Sequence, residues 1–229
     1  MMTKPRGILF GIDDVLYDAS YQTSNARLSA VRAMIQAGLP VDVETGYRKL
    51  EEIVKELGPD NTKHFDKLME RLGLKWNPAV IAAGVVAYRE TYPVYLKLYP
   101  DTMPTVMALR ESGFKVGCVS GGKSVKQWQK LVSLGLQHCF HTVVIAEDLG
   151  LQTFSKEVIA HALKMINVSG SEAIYVGANL KTEIPVAVEA KVDPVRLRKG
   201  DSRLEKLVGV EPVREIEKLS EIVQLTQSH

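Results

Sequence analysis

Between Ile8 and Asp18 the chain reads Ile-Leu-Phe-Gly-Ile-Asp-Asp-Val-Leu-Tyr-Asp, an apolar run that stops in a short acidic turn. Such a run suits a strand buried on both faces of a parallel sheet, and ligands of open α/β sheets gather outside the carboxyl ends of strands like it. Asp13 and Asp14 stand at that end. Chemistry is therefore expected where this first strand stops.

The rest of the chain divides by rhythm. From Ser20 to Leu98 the pattern is helical. Apolar residues recur at three- and four-residue spacing through Leu28, Val31, Ala33, Met34 and Ile35, until Gly38 and Pro40 end the first helix. A second helix is expected over Val41 to Leu57, a third over His64 to Leu72, and a fourth after Asn77, which caps it with Pro78 at its first position. Past Pro100, strands and helices alternate, which argues for a parallel sheet with crossover helices. Helices are expected at Asp101 to Glu111, Ser124 to Leu134, Ser155 to Ile166, Glu183 to Ala190 and Glu215 to Leu225. Strands are expected at Lys115 to Ser120, Thr142 to Ala146, Ala173 to Val176 and near Lys191 to Leu197. The reading is an α/β fold: a doubly wound, Rossmann-like parallel-sheet core made of residues 1–18 and 99–229, with residues 19–98 inserted as a helical cap.

The charges exclude some partners. The 29 basic and 27 acidic residues leave a net charge of +2 with no basic block, so nothing points to nucleic acid or a membrane surface. No stretch approaches a membrane span, and a cytoplasmic protein is expected. The two cysteines, Cys118 and Cys139, lack metal or disulfide spacing, and Cys118 reads as a small core residue. The histidines are dispersed and read as solvated loop residues. Trp76, Tyr88, Tyr92, Tyr95 and Tyr99 cluster toward the end of the insert, where packing is a simpler role than partner binding.

The first strand and its turn resemble the opening motif of the haloacid dehalogenase-like hydrolases, an apolar strand followed by Asp-x-Asp-x-(Thr/Val)-(Leu/Val). The pattern falls on Gly11, Ile12, Asp13, Asp14, Val15 and Leu16. The resemblance extends over nearly the whole chain, because a sheet domain interrupted after its first strand by helices is also that family's layout. It implies a nucleophilic, magnesium-binding aspartate at position 11, where this chain has glycine, and an acid/base aspartate at Asp13.

In the second motif Ser120 matches the family's phosphate-binding hydroxyl, while Gly121 replaces the usual Asp or Asn. Gly121, Gly122 and Lys123 complete a turn whose backbone N–H groups suit an anion at a helix start. In the third motif Thr153 takes the place of the family lysine, and Lys156 three residues later reads as a surface residue. In the fourth, Ala178 takes the first acidic position and Glu183 lies near the second.

With no carboxylate at Gly11 or Ala178, Glu183 and the main-chain carbonyl of Asp13 read as too little to hold magnesium, which needs hard oxygen ligands. The expectation is a site with no metal and no cofactor that has lost phosphatase activity and binds a phosphorylated small molecule or a protein partner. The alternative is a weak or unconventional phosphatase, a phosphate monoester hydrolase acting through Asp13.

Overall fold

The computed structural model describes residues 4–200 and 213–227. They separate into two compact units, one of Met1–Ser20 with Leu96–His229 and one of Tyr21–Tyr95.

The first unit is built on a parallel sheet of six strands: β1 (Gly7–Phe10), β2 (Lys115–Ser120), β3 (Thr142–Ile145), β4 (Ala173–Gly177), β5 (Asp193–Leu197) and β6 (Arg214–Ile216), in spatial order β3-β2-β1-β4-β5-β6. The chain builds outward from β1 to one side and then returns to build on the other. β1 and its neighbours β2 and β4 therefore flank the point where the winding reverses, the usual place for a ligand in such sheets. Phe10 pairs with Cys118 on one side and with Val176 on the other, so the three strands end almost level.

Alternation along the central strands feeds two cores. Ile8, Phe10, Ile174 and Val176 pack with residues of α5 (Thr102–Glu111), α6 (Ser124–Ser133) and α9 (Glu221–Gln227). Leu9, Ala173 and Tyr175 pack on the other face against α7 (Lys156–Ile166) and α8 (Ile184–Glu189). The four residues of β1 are all fully buried, which is why that stretch shows no polar alternation. Truncating a side chain such as Phe10 to Ala would cost roughly 3–5 kcal/mol.

The second unit holds most of α1 (Ala19–Gln36) with α2 (Val43–Leu57), α3 (His64–Arg71) and α4 (Pro78–Thr91) around a core that includes Val31, Met34, Leu50, Ile53, Leu68 and Val80. The Asn77 side chain accepts hydrogen bonds from the N–H groups of Ala79 and Val80, as its position before Pro78 led one to expect. Gly84 lets α4 approach α1, for a Cβ there would stand 2.8 Å from Met34. The aromatic residues pack among themselves: Tyr88 stacks on Tyr92 and Tyr21 meets Tyr95 edge-on.

The chain's end differs from the expected single helix over Glu215 to Leu225. Arg214–Ile216 forms β6 instead, beside β5, where Glu215 reaches the buried guanidinium of Arg196 at 2.6 Å. A buried cation without that carboxylate would be costly, and pairing it holds the short segment extended. The helix begins five residues after β6 starts to end, at Glu221, whose carboxylate accepts from the N–H groups of Glu217 and Lys218. β5 starts at Asp193 rather than Lys191, because Lys191 turns through a left-handed conformation with φ 56°. Among the described residues no helix is long and apolar enough to cross a membrane.

Candidate active site

After β1 the chain folds back on itself within a few residues. The N–H of Leu16 donates to the carbonyl of Ile12 at 3.0 Å, and Asp14 adopts φ 59°, a left-handed turn that aspartate tolerates better than most residues. The Leu16 carbonyl, facing the body of the unit, accepts from the Thr102 hydroxyl at 2.8 Å and from the Tyr99 N–H at 3.1 Å. This anchored turn fixes Asp13 and Asp14 in opposite surroundings.

Asp13 is surrounded by donors. The Lys130 ammonium lies 2.7 and 2.8 Å from its two oxygens, and the Tyr17 hydroxyl donates to one of them at 2.7 Å. Asp14 receives the N–H of Ser20 at 2.8 Å and its hydroxyl at 2.6 Å. Burial outweighs those bonds and, with Asp13 and Asp18 adding repulsion, pushes the Asp14 carboxyl up to about 6. Its carboxylate lies against Gly200, where there is no room for a side chain.

Position 11 is where the structure adds most to the sequence reading. A Cβ on Gly11 would stand 3.2 Å from Glu183 Oε1 and 3.2 Å from the Tyr175 hydroxyl. The Glu183 carboxyl thus reaches in from the turn after β4 toward the space that a side chain at 11 would take. Its other oxygen, Oε2, accepts the N–H groups of Ala178 and Asn179, both at 2.9 Å. Gly177 permits this return, since a Cβ there would come within 3.0 Å of Oε2 and 2.6 Å of the Tyr175 ring. Burial pushes the Glu183 carboxyl up to about 7 against the pull of the two amides, and the negative charges of Asp13 and Asp14 add to the rise. Burial and the nearby Glu183 likewise raise the Tyr175 phenol, whose hydroxyl has no hydrogen-bond partner among the described residues.

Ser120 ends β2 one strand away, two residues past the Cys118 that pairs with Phe10. Gly121 is confined, because a Cβ there would lie 3.1 Å from the Phe154 nitrogen, and the Gln127 side chain donates to the Gly121 carbonyl at 3.2 Å. Gly122 takes φ 77° to complete the turn. Lys123 was expected to bind phosphate here, but its ammonium meets Glu147 at 2.7 Å. The same Glu147 carboxylate accepts the N–H of Ser124 at 2.8 Å. The start of α6 therefore already holds an anion of the protein's own, which satisfies the positive helix end. Thr153 is exposed, and the ammonium of Lys156 pairs with Glu189 at 2.6 Å.

Sequence reasoning missed Lys130 and Tyr17 as partners of Asp13, and Tyr175 as a neighbour of position 11. For Lys130 the available signal was helical spacing: Gln127, Lys130 and Leu131 share a face of α6, and Gln127 and Leu131 are buried. The reach of Glu183 had no comparable signal, since it depends on how the turn after β4 closes.

Comparison with known proteins brings in the chemistry. Residues 5–191 match the family model for haloacid dehalogenase-like hydrolases. A relative named glyceraldehyde 3-phosphate phosphatase from Methanopyrus kandleri is 46% identical over 85% of this chain and 84% of its own. A relative of the same name from Pyrococcus abyssi is 36% identical over 96% of this chain and 93% of its own. Among solved structures, the HAD-hydrolase YfnB from Bacillus subtilis, in a form bound to magnesium, has the same fold with a TM-score of 0.72, at 21% identity over 98% of this chain and 99% of its own.

These findings correct two expectations. Loss of phosphatase activity does not stand against phosphatase-named relatives at such identity over most of the chain. The expected lack of any cofactor falls with it, in view of the family match and those names. The physical reason is the same for both. Gly11, Thr153 and Ala178 each lack a group at their own position, whereas Lys130 reaches Asp13 from α6 and Glu183 reaches toward position 11 from the turn after β4.

Proposed function

The chain belongs to the haloacid dehalogenase-like hydrolase family, and from that premise we propose that it is a phosphate monoester hydrolase acting through Asp13, with glyceraldehyde 3-phosphate as its substrate. The substrate is taken from the relatives' names. The observation that carries the reading is the Asp13 carboxylate, held by Lys130 and Tyr17 at the end of β1, one strand from Ser120.

Glycine at position 11 cannot form an acyl phosphate, so water takes the nucleophile's part. Asp13 accepts a proton from that water as its oxygen bonds to phosphorus and the ester P–O bond breaks. The proton then passes to the departing alkoxide, and an alcohol and inorganic phosphate leave. Ser120 and the amides of the Gly121–Gly122 turn donate to the phosphate oxygens during the exchange.

The donor chemistry fits magnesium: Glu183 Oε1, which would lie 3.2 Å from a Cβ on Gly11, offers a hard oxygen just past the end of β1. Glu183 and the main-chain carbonyl of Asp13 would hold the ion. Among the described residues no three His, Cys, Asp or Glu side chains converge as a metal cage. That suits magnesium, which commonly takes one or two carboxylates and completes its shell with water and substrate phosphate. When bound, the ion supplies positive charge to the phosphoryl oxygens.

The test is phosphate release from glyceraldehyde 3-phosphate by the purified chain, with and without magnesium, beside Asp13→Asn. Magnesium-dependent release that Asp13→Asn lowers by about a hundredfold or more is the expected result. Release that Asp13→Asn leaves undiminished, or no release at all, would sink the reading.

A further inference from the structure

Phosphoryl transfer spreads negative charge over the oxygens around phosphorus, and a site that catalyses it needs a fixed positive group facing them. Lys123 and Lys156 are poorly suited, for Glu147 and Glu189 neutralise them and both side chains are about half exposed or more. Thr153 carries no charge. Lys130 is also paired, but its side chain is 15% exposed and its partner is Asp13, the carboxylate of the site itself.

The helix explains why it points there. Gln127, Lys130 and Leu131 lie on one face of α6. Leu131 packs into the sheet's core, Gln127 holds the carbonyl of Gly121, and Lys130 holds Asp13. One helix face thereby braces both halves of the site, the turn after β2 and the turn after β1. A lysine ammonium has three N–H donors, and the two oxygens of Asp13 engage two of them, which leaves one for a third oxygen.

We infer that Lys130 is the phosphate-facing cation of this site, reaching a substrate phosphate with its remaining N–H while it holds the carboxylate of Asp13. The assignment rests on the phosphatase reading above for its substrate, but it extends to inorganic phosphate itself. It makes Lys130 part of phosphate binding as well as of the reaction.

Calorimetry with inorganic phosphate tests this without needing turnover. Lys130→Met is expected to weaken phosphate binding about ten- to a hundredfold, the size of a lost charge-assisted hydrogen bond, and Lys130→Arg to recover part of it. Should Lys130→Met fail to fold with Asp13 left unpaired, Asp13→Asn with Lys130→Met keeps the pair neutral, and it is expected to bind phosphate about tenfold or more weakly than Asp13→Asn alone. In steady-state assays on glyceraldehyde 3-phosphate, kcat/KM of Lys130→Met is expected to fall about 10²–10³-fold, with Lys130→Arg intermediate.

Phosphate affinity unchanged by loss of the lysine, or no phosphate binding by the unaltered chain, overturns the assignment. Lys130-dependent phosphate binding by a chain that hydrolyses nothing would uphold the assignment and discard the phosphatase reading.

Discussion

Asp13 and Glu183 are two carboxylic acids of one site, and the protein holds them in opposite ways. Asp13 is 43% exposed and carries a lysine and a phenol as partners. Glu183 is partly buried, receives two backbone amides on one oxygen, and turns the other toward Gly11 and the Tyr175 phenol. Both are bonded; the difference is a countercharge. At Glu183 two amides do not offset burial, and its carboxyl is pushed up to about 7. The first arrangement suits a group that works as an anion, and the second suits one that waits for a cation from solution.

The largest effect that separates the two is on rate. Asp13→Asn keeps the shape and removes the charge, and phosphate release should drop about 10²–10⁴-fold under saturating magnesium. An equal drop in Glu183→Gln at saturating magnesium would erase the distinction.

Next comes pH. The folded-state value of Glu183, raised to about 7 from 4.5, means that the folded protein keeps a proton the unfolded chain has given up. The stability this contributes is fully present below about 4.5 and is lost as pH rises toward 7. In chelator, melting curves of the unaltered chain should therefore lose roughly 2–4 kcal/mol over that window relative to Glu183→Gln. Parallel curves for the two proteins would show that Glu183 is not held as described.

Gly11→Asp probes the same space by filling it. The new side chain meets Glu183 Oε1 and the Tyr175 hydroxyl, so stability in chelator should fall by about 1–3 kcal/mol, and magnesium should return most of that by relieving the two carboxylates. A loss that magnesium leaves untouched would mean the space is simply too small.

The smallest effect tests the partners of Asp13. Tyr17→Phe removes one of three hydrogen bonds, and kcat should fall only a few-fold, about 1 kcal/mol, because Lys130 remains.

Much of the fold could be read from the chain because its signals are local. The buried run of β1, the Asn77–Pro78 helix start and the change of rhythm after Pro100 each follow from neighbouring residues. β6 could not be read this way, since three residues show little periodicity and their pairing depends on Arg196, eighteen positions before Arg214. The site divides along the same line. Asp13 and Ser120 can be singled out as candidates by their place just past or at strand ends. Lys130 lies 117 positions from Asp13, and only the packing of α6 brings them together. Glu183 is visible in the motif, but the direction of its Oε1 is not, because a motif records which residues are present and not where an oxygen ends up.

The contact between Gly121 and Phe154 carries a consequence for how this protein can change. A side chain at 121 would press on the Phe154 backbone, which is less forgiving than the tip of a flexible side chain. Any selection that rewards an acidic or amide group at 121 must therefore begin at the loop, with substitutions around 152–155 that draw Phe154 back. Only then does the second step become viable. The packing favours that order, and variants that take the steps in reverse should be depleted in a library relative to those that move the loop first.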